Sequence, residues 1–232
     1  MKELCLLYQQ DNEKHQRIVE GIESSWPELF KATQSIKWMG WARQDFLPIV
    51  HLAASGLRQL TAEQYRDYKR VIMQLMQADG GIDLYEWALF QMLRSSLDSH
   101  FENVHFKREK YRKIEEIAVE VAVVIGTLVK AGEGTQKHKE SLYYAACASC
   151  GVGGTSWEKV LQSPIAEFSL AINKIALSFP LIKPRILKAL VQVIKADGKI
   201  DIIERQTLMA IAAAIDAPLP EHLLAELENG KQ

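Results

Sequence analysis

One ten-residue pattern occurs twice in this chain of 232 residues, and it constrains the fold more than any other feature. It reads QADGGIDLYE at residues 77–86 and KADGKIDIIE at residues 195–204. Each copy stands between runs in which apolar residues recur every three or four positions, the spacing of an amphipathic helix. Over sixteen residues, VIMQLMQADGGIDLYE and ALVQVIKADGKIDIIE are identical at seven positions. Two related helical hairpins are therefore expected.

The motif itself predicts a turn between two helices. In the first copy Gly80 supplies the positive φ that commonly closes a helix C-terminus. Asp83 and Glu86 then stand three residues apart, as the N-cap and N3 residues of a capping box do at the start of a helix. Asp201 and Glu204 repeat this arrangement in the second copy. Each copy is thus interpreted as the connection of an αα-hairpin.

The same carboxylates suggest an alternative, because an EF-hand calcium loop also carries oxygen ligands at positions 5, 9 and 12. Positions 1 and 3 of that loop fall on Leu75 and Gln77 in the first copy and on Val193 and Lys195 in the second, so two oxygen ligands are lost from each. Helix capping is the favoured interpretation, a weak divalent-cation or partner-binding role is the alternative, and no cofactor is expected. The candidate cation ligands are Asp79, Asp83, Glu86, Asp197, Asp201 and Glu204.

Helical periodicity extends along nearly the whole chain and strand alternation is almost absent, so we predict an all-α multi-helix bundle. Thr61 with Gln64 has the spacing of a further capping box. The polar stretch SHFENVHFKREK predicts a boundary that divides residues 1–105 from residues 106–232, with one motif in each half. The predicted helices are 11–24, 27–36, 47–59, 62–78, 84–97, 110–131, 138–149, 157–178, 182–196 and 202–215.

Charge and hydropathy exclude several classes of protein. The chain has 28 basic and 29 acidic residues, so no basic excess is available to neutralise the phosphates of a nucleic acid. Its longest apolar stretch, VAVVIGTLV, is far shorter than the ~20 residues of a membrane-spanning helix. The first residues, MKELCLLYQQDNEKH, lack the apolar region and cleavage site of a signal peptide. A soluble chain that does not enter the secretory route is expected.

Motifs of familiar enzymes are missing. The six histidines never form His-Glu-x-x-His, and the glycine-rich stretches GEGTQK and GVGGTS lack the phosphate-loop pattern. Cys147 and Cys150 form a C-x-x-C at the end of a predicted helix rather than at its start, which favours small buried thiols over a redox pair. Trp38 and Trp41 are predicted to anchor the N-terminal helices; as the alternative, they form an exposed aromatic contact for a partner or a membrane interface.

The residues also carry a resemblance. A helix, ADGxID, a glutamate three residues on and a second helix resemble the TerB-like (tellurite-resistance B-like) helical domain. FLPIVHLAASGLRQLTAEQYRDYKRVIMQLMQADGGIDLYEWALFQML and LIKPRILKALVQVIKADGKIDIIERQTLMAIAAAIDAPLP, about 90 residues together, are similar to the region that follows the peptidase domain in some bacterial membrane zinc metallopeptidases of the HtpX type.

This resemblance implies a role without implying catalysis, since the His-Glu-x-x-His zinc motif of those peptidases has no counterpart here. It implies a non-catalytic interaction and regulatory module, whose partner is the peptidase domain of a parent protein or another protein. The implied location is the cytoplasm, with tethering at the inner membrane through the parent. The alternative is a divalent-cation-responsive TerB-like module that uses its two acidic hairpins.

Overall fold

The structure is a computed structural model that describes residues 45–77, 83–102, 109–153, 155–198 and 200–221, together with positions 20, 21, 23, 24, 27, 31, 42, 223 and 225. Within the continuous ranges the chain forms nine α-helices and one 3₁₀ helix, so the predicted all-α class is confirmed. Two compact units, Met1–Asn103 and Val104–Gln232, divide the chain. The predicted helices at 11–24 and 27–36, and the predicted boundary after residue 105, lie outside these continuous ranges.

The first unit contains helices α1 (Phe46–Leu57), α2 (Ala62–Met76) and α3 (Leu84–Phe101). The capping box predicted at the start of α2 is present. Gln64 N donates to Thr61 Oγ1 at 3.2 Å, and Thr61 N donates to Gln64 Oε1 at 2.8 Å. The apolar faces of the three helices enclose one core, whose buried members are Ala54, Tyr65, Tyr68, Ile72, Met76, Phe90, Leu93 and Leu97.

A polar network fastens α2 to α3 at the edge of that core. Tyr65, near the start of α2, donates its hydroxyl to Asp98, near the end of α3, at 2.7 Å, so the two helices are antiparallel. Lys69 Nζ and Arg94 Nε also donate to Asp98, at 3.0 and 2.9 Å. Burial alone would raise the pKa of Asp98, but these hydrogen bonds and the charge of Arg94 outweigh it and lower the pKa below 3.8. The network favours the ionised carboxylate.

The second unit is built around one apolar helix, α4. Helices α5, α6, α7 and α8 all pack against it. Buried residues occupy most of its circumference, the pattern of a helix surrounded by others. No helix in the described ranges is long and apolar enough to cross a bilayer. The elements of this unit are a 3₁₀ helix at Ile114–Ile117, α4 Ala118–Ala131, α5 Gln136–Ser149, α6 Trp157–Leu161, α7 Ile165–Ala176, α8 Lys183–Ile194 and α9 Ile202–Ala214.

Close packing of α4 on α6 depends on one glycine. A Cβ built on Gly126 would overlap Val160 Cγ1 and lie 3.4 Å from the ring of Tyr143. Val160 and Tyr143 are both buried, so neither side chain has open space to move into. Gly126 therefore sets the distance between these two helices.

Helices α8 and α9 are antiparallel neighbours. Lys183, at the start of α8, donates its ammonium group to the carbonyl of Asp216, just beyond the end of α9, at 3.4 Å. The lysine is only 4% exposed. Burial lowers its pKa below 10.5, and the charges of Asp216 and Glu109 oppose that shift. Pro184 occupies the first turn of α8, where its missing N–H removes no intrahelical bond.

Two of the predicted helices are wrong in extent. The helix predicted at 157–178 is interrupted, because α6 ends at Leu161 and Pro164, whose ring cannot continue a helix, is the N-cap of α7. The helix predicted at 110–131 begins late. Before the 3₁₀ helix the backbone of Tyr111 pairs with that of Ser178 in an isolated bridge, and Phe179 N donates to Tyr111 O at 2.9 Å. These tertiary hydrogen bonds replace the first helical turn.

Candidate functional site at the acidic turns

The first acidic motif caps α3. Glu86 N donates to Asp83 Oδ1 at 2.9 Å, and Asp83 N donates to Glu86 Oε2 at 3.0 Å, so the two side chains satisfy each other's backbone amides. Asp83 has the extended backbone of an N-cap residue, with φ −79° and ψ 165°. Glu86 is only 6% exposed. The predicted N-cap is confirmed, whereas Asp79 and Gly80 lie outside the described residues.

The second motif caps α9 in the same way. Asp201 N donates to Glu204 Oε2 at 3.1 Å, and the Asp201 carboxylate accepts from the first-turn amides, with Ile203 N at 3.1 Å from Oδ1. Gly198, in the turn that follows α8, has φ +77°, a left-handed conformation that favours glycine. The capping role predicted for Asp201 is therefore confirmed.

A cleft opens beside this second turn, within the second unit. It lies where α4 joins α5 and α8 joins α9, and it is a small recess of about 30 Å³ that is open to solvent. Its polar lining residues come from both connections and the helices they join. The lining consists of the apolar Leu128, Val129, Leu142, Val193 and Ile194, the small Gly132 and Ala196, and the polar Glu133, His138, Asp197 and Glu204.

Glu204 occupies an electrostatically unfavourable position in this cleft. Partial burial raises the pKa of its carboxyl above 4.5, and the negative charges of Asp197, Asp201 and Glu133 raise it further. The hydrogen bond from the backbone of Asp201 acts in the opposite direction without cancelling these effects. Glu204 is thus a partly desolvated carboxylate, and two other lining carboxylates, Asp197 and Glu133, together with the capping Asp201, are near enough to repel it.

The described residues do not form a metal-binding cluster. No group of three or more His, Cys, Asp or Glu side chains in the described ranges is arranged to hold a metal ion. This covers the candidate ligands Asp83, Glu86, Asp197, Asp201 and Glu204. In both capping boxes the glutamate accepts from the backbone amide of the N-cap aspartate, and the aspartate accepts from amides of the first helical turn, which occupies lone pairs that a cation would need.

The cysteine pair is enclosed by the second unit. Cys147 and Cys150 are buried free thiols near the end of α5, and Cys150 Sγ donates to the carbonyl of Cys147 at 3.3 Å. Burial raises the pKa of Cys147 to about 11 and also raises the pKa of Cys150. Since the thiolate is the reactive form, burial and the raised pKa values disfavour reaction of either thiol. The interaction candidates Trp38 and Trp41 lie outside the described residues.

Two lining residues of the cleft have no signal in the sequence. Glu133 and His138 flank the connection between α4 and α5, more than fifty residues before the second acidic turn. Only the packing of α8 on α4 and α5 brings that connection beside α9. A local motif therefore locates Asp197 and Glu204 but not the residues across from them.

Comparison with known proteins finds no relative of this chain. No protein-family model, no curated protein and no solved structure matches it. Function is therefore inferred from the cleft, from the two capped turns and from the resemblance of the motif.

Proposed function

We propose that the chain is a non-catalytic protein-interaction and regulatory module, built on two related TerB-like hairpins, of the kind that follows the peptidase domain in membrane zinc metallopeptidases of the HtpX type. Its partner is the peptidase domain of the same protein or another protein. The observation that carries this proposal is the recessed acidic cleft beside the second turn, where Glu204 is held among three carboxylates. Acidic recesses of this kind favour binding of a positively charged group.

The shared plan of the two hairpins supports their relationship. In each, the first residues of the leading helix lie beside the last residues of the following helix, through Tyr65 and Asp98 in one and Lys183 and Asp216 in the other. In each, the following helix starts with an Asp–Glu capping box. A related pair of hairpins is what a duplicated TerB-like unit would produce.

The sequence supports a role other than catalysis. Enzymes typically lower a barrier by at least about 8 kcal/mol, which requires a metal, a nucleophile with its base, or a preorganised set of donors. The thiols of Cys147 and Cys150 are buried and protonated, and the ionised Asp98 is engaged by Tyr65, Lys69 and Arg94. Burial of the thiols and the hydrogen bonds to Asp98 account for the pKa shifts of these groups without a catalytic role.

The test has two parts. The purified chain is incubated with unfolded casein and zinc, and we expect no cleavage. A parent protease is then compared with a variant that lacks this region, and we expect altered cleavage kinetics or localisation, because a module held near a peptidase by the same chain has a high effective concentration. Zinc-dependent cleavage by the chain alone would contradict the non-catalytic role, and indistinguishable proteases would contradict the regulatory role.

A divalent-cation-responsive module is the second candidate; the negative charges of Asp197, Asp201 and Glu133 near Glu204 favour it, although no group of three or more ligands in the described residues is arranged to hold a metal ion. A ligand at 100 times its dissociation constant should stabilise the folded state by about 2.7 kcal/mol. Thermal unfolding with and without millimolar calcium therefore separates the two candidates. An unchanged unfolding temperature excludes the second, and a rise that Glu204→Gln abolishes supports it.

A further inference from the structure

The outward side of α8, in the second unit, carries positive charge only. Arg185, Lys188 and Gln192 recur at the three- and four-residue spacing of one helix face, and all three are exposed, whereas most other residues of α8 are buried. The helix contains no aspartate or glutamate. Neither Arg185 nor Lys188 forms an ion pair with any residue that the structure describes. Both cations are therefore available to an anionic partner.

The two helices that flank α8 add no negative charge beside these cations. Both α5 and α9 pack against α8. No charged residue occurs at positions 141–156, which include the second half of α5, or at positions 206–215, which include most of α9. The side chain of Arg185 reaches the end of α5, since a Cβ built on Gly151 would lie 2.5 Å from one of its guanidinium nitrogens. The segments on either side of the cations are thus uncharged.

One acidic residue borders this surface, and a buried cation opposes its charge. Asp216 follows α9, and its carbonyl accepts from the ammonium group of Lys183 at 3.4 Å. The negative charges of Asp216 and Glu109 both act on Lys183, where they favour its charged form. These two acidic groups therefore do not compensate the charges of Arg185 and Lys188.

An exposed apolar side chain lies next to the cations, in the connection that leads into α8. Leu181 is 91% exposed and stands four residues before Arg185. Hydrogen bonds fix the backbone around it, because Phe179 N donates to Tyr111 O at 2.9 Å and Ile182 N donates to Phe179 O at 3.0 Å. A defined turn therefore holds this leucine in solvent.

We propose that Leu181, Arg185 and Lys188, together called the α8 face, bind the surface of a membrane that contains anionic lipids. The two cations lie at the lipid phosphates and Leu181 enters the headgroup region. Peripheral helices bind membranes through this combination of basic and apolar residues. This inference goes beyond the proposed interaction with a peptidase domain and does not require it.

The shape of the surroundings favours a lipid surface over an acidic protein segment. The exposed residues of the flanking segments near the cations are small, and they include Ala148, Ser149, Gly151 and Ala213. Small residues leave room for a flat surface to approach both cations at once. A membrane also gives the exposed leucine an apolar environment, which an acidic segment would not supply.

The test is co-sedimentation of the full chain with lipid vesicles of two compositions. One contains phosphatidylcholine alone, and the other is an equimolar mixture of phosphatidylcholine and phosphatidylglycerol. We expect binding to the mixed vesicles that weakens as salt is added, because salt screens exposed charges. Binding to phosphatidylcholine alone should be much weaker.

Variants show whether the α8 face is responsible. A basic residue near an anionic membrane strengthens binding about fivefold, so Arg185→Gln combined with Lys188→Gln should weaken it about 25-fold. Leu181→Ser should weaken it severalfold. The matched control is Lys137→Gln combined with Lys159→Gln, which removes the same charge from exposed positions on α5 and α6. The control should bind nearly as well as the unaltered chain.

Three results would overturn the inference: no binding to the mixed vesicles at low salt, equal binding to phosphatidylcholine alone, or substitutions at Arg185 and Lys188 that weaken binding no more than the control. Soluble polyglutamate is a further probe. Binding to polyglutamate without binding to vesicles would assign the α8 face to an acidic protein and would equally overturn it. The proposed regulatory role is read separately, from the comparison of parent proteases, and can survive each of these results.

Discussion

The two Asp–Glu capping boxes have the same hydrogen-bond pattern and different surroundings. In both, an aspartate and a glutamate three residues later cap a helix by exchanging hydrogen bonds with each other's amides. Glu86 is buried in the first unit, whereas Glu204 faces a cleft that it shares with Glu133 and Asp197. The Asp–Glu pair therefore specifies the helix cap, and the neighbouring helices decide whether its glutamate is buried in a core or faces a cleft.

The two helix pairs, α2 with α3 and α8 with α9, also differ in the contacts that hold their helices together. Asp98 accepts two hydrogen bonds from α2, through Tyr65 and Lys69, and a third from Arg94 of its own helix, while α8 and α9 belong to a unit built around the apolar helix α4. The stability of the pair α2 and α3 should accordingly depend on the carboxylate of Asp98. The stability of the pair α8 and α9 should depend on the backbone conformation of their connection and on apolar packing.

The largest expected effect is that of Asp98→Ala. The substitution removes the acceptor of the buried Tyr65 hydroxyl and leaves Lys69 and Arg94 without their shared partner, so the free energy of unfolding should fall by about 3 kcal/mol. Urea denaturation measures it. Asp67→Ala is the control, because Asp67 pairs with Arg70 on the exposed surface of α2 and its loss should cost under about 0.5 kcal/mol. Equal effects of the two substitutions would contradict a dominant role for Asp98.

Gly198→Val should have the next largest effect. A Cβ at this position meets no atom within 4 Å, so the cost is conformational: a β-branched residue must adopt φ +77°. We expect a loss of about 2 kcal/mol in urea denaturation. Gly198→Asn is the matched control and should cost less, because asparagine tolerates the left-handed region. A neutral valine variant would show that the turn does not need its left-handed residue.

Asp83→Ala and Asp201→Ala test the feature that the two turns share. Each removes an N-cap acceptor, so each should cost about 1 kcal/mol, and the two losses should agree within about 0.5 kcal/mol. Hydrogen exchange of amides in α3 and α9 reports the two helices separately. A large loss in only one variant would mean that the caps are not equivalent.

The pH dependence of stability should differ between the two hairpins. The lowered pKa of Asp98 means that its stabilisation is present above 3.8, the unfolded value, and is lost as the pH falls through the folded value. Glu204 acts in the opposite direction. Because its folded pKa is raised, its stabilising contribution is complete below 4.5 and is lost as the pH rises through the folded value.

Glu204→Gln should therefore leave stability at pH 7 unchanged or raise it by about 0.5 kcal/mol, since it removes repulsion while keeping the capping oxygen. Glu86→Gln should cost about 1 kcal/mol, because the buried amide group must replace a carboxylate that already has its partners. Urea midpoints between pH 4 and pH 7 measure both variants. The proposed difference between the turns would be wrong if the two substitutions had the same effect.

Much of this fold is readable from local sequence signals. Asp83, Asp201 and the Thr61–Gln64 pair occupy the capping positions that their spacing predicts, because a cap is a contact between residues three apart. Local sequence signals did not predict where α6 ends or where α4 begins. Pro164 interrupts a continuous apolar pattern, and Tyr111 is held by a hydrogen bond from Phe179, which is distant in sequence.

The cleft is predicted only in part, for the same physical reason. Asp197 and Glu204 belong to the repeated motif, whereas Glu133 and His138 reach the cleft through the packing of α8 against α4 and α5. The spacing of residues within a motif does not predict tertiary contacts between segments that are distant in sequence. Burial is the main cause that raises the pKa of Glu204, and the smaller contribution from the charge of Glu133 could not be foreseen from the motif.

The most direct test of the account is a ¹³C NMR titration of the side-chain carboxyl of Glu204 in the full chain. We expect a midpoint above 4.5 that moves down when Glu133→Gln and Asp197→Asn are introduced, because both remove negative charge from the cleft. The control Glu167→Gln should leave the midpoint unchanged. A midpoint at or below 4.5 in the unaltered chain, or one that ignores both cleft substitutions, would contradict the claim that the second turn presents a recessed acidic site.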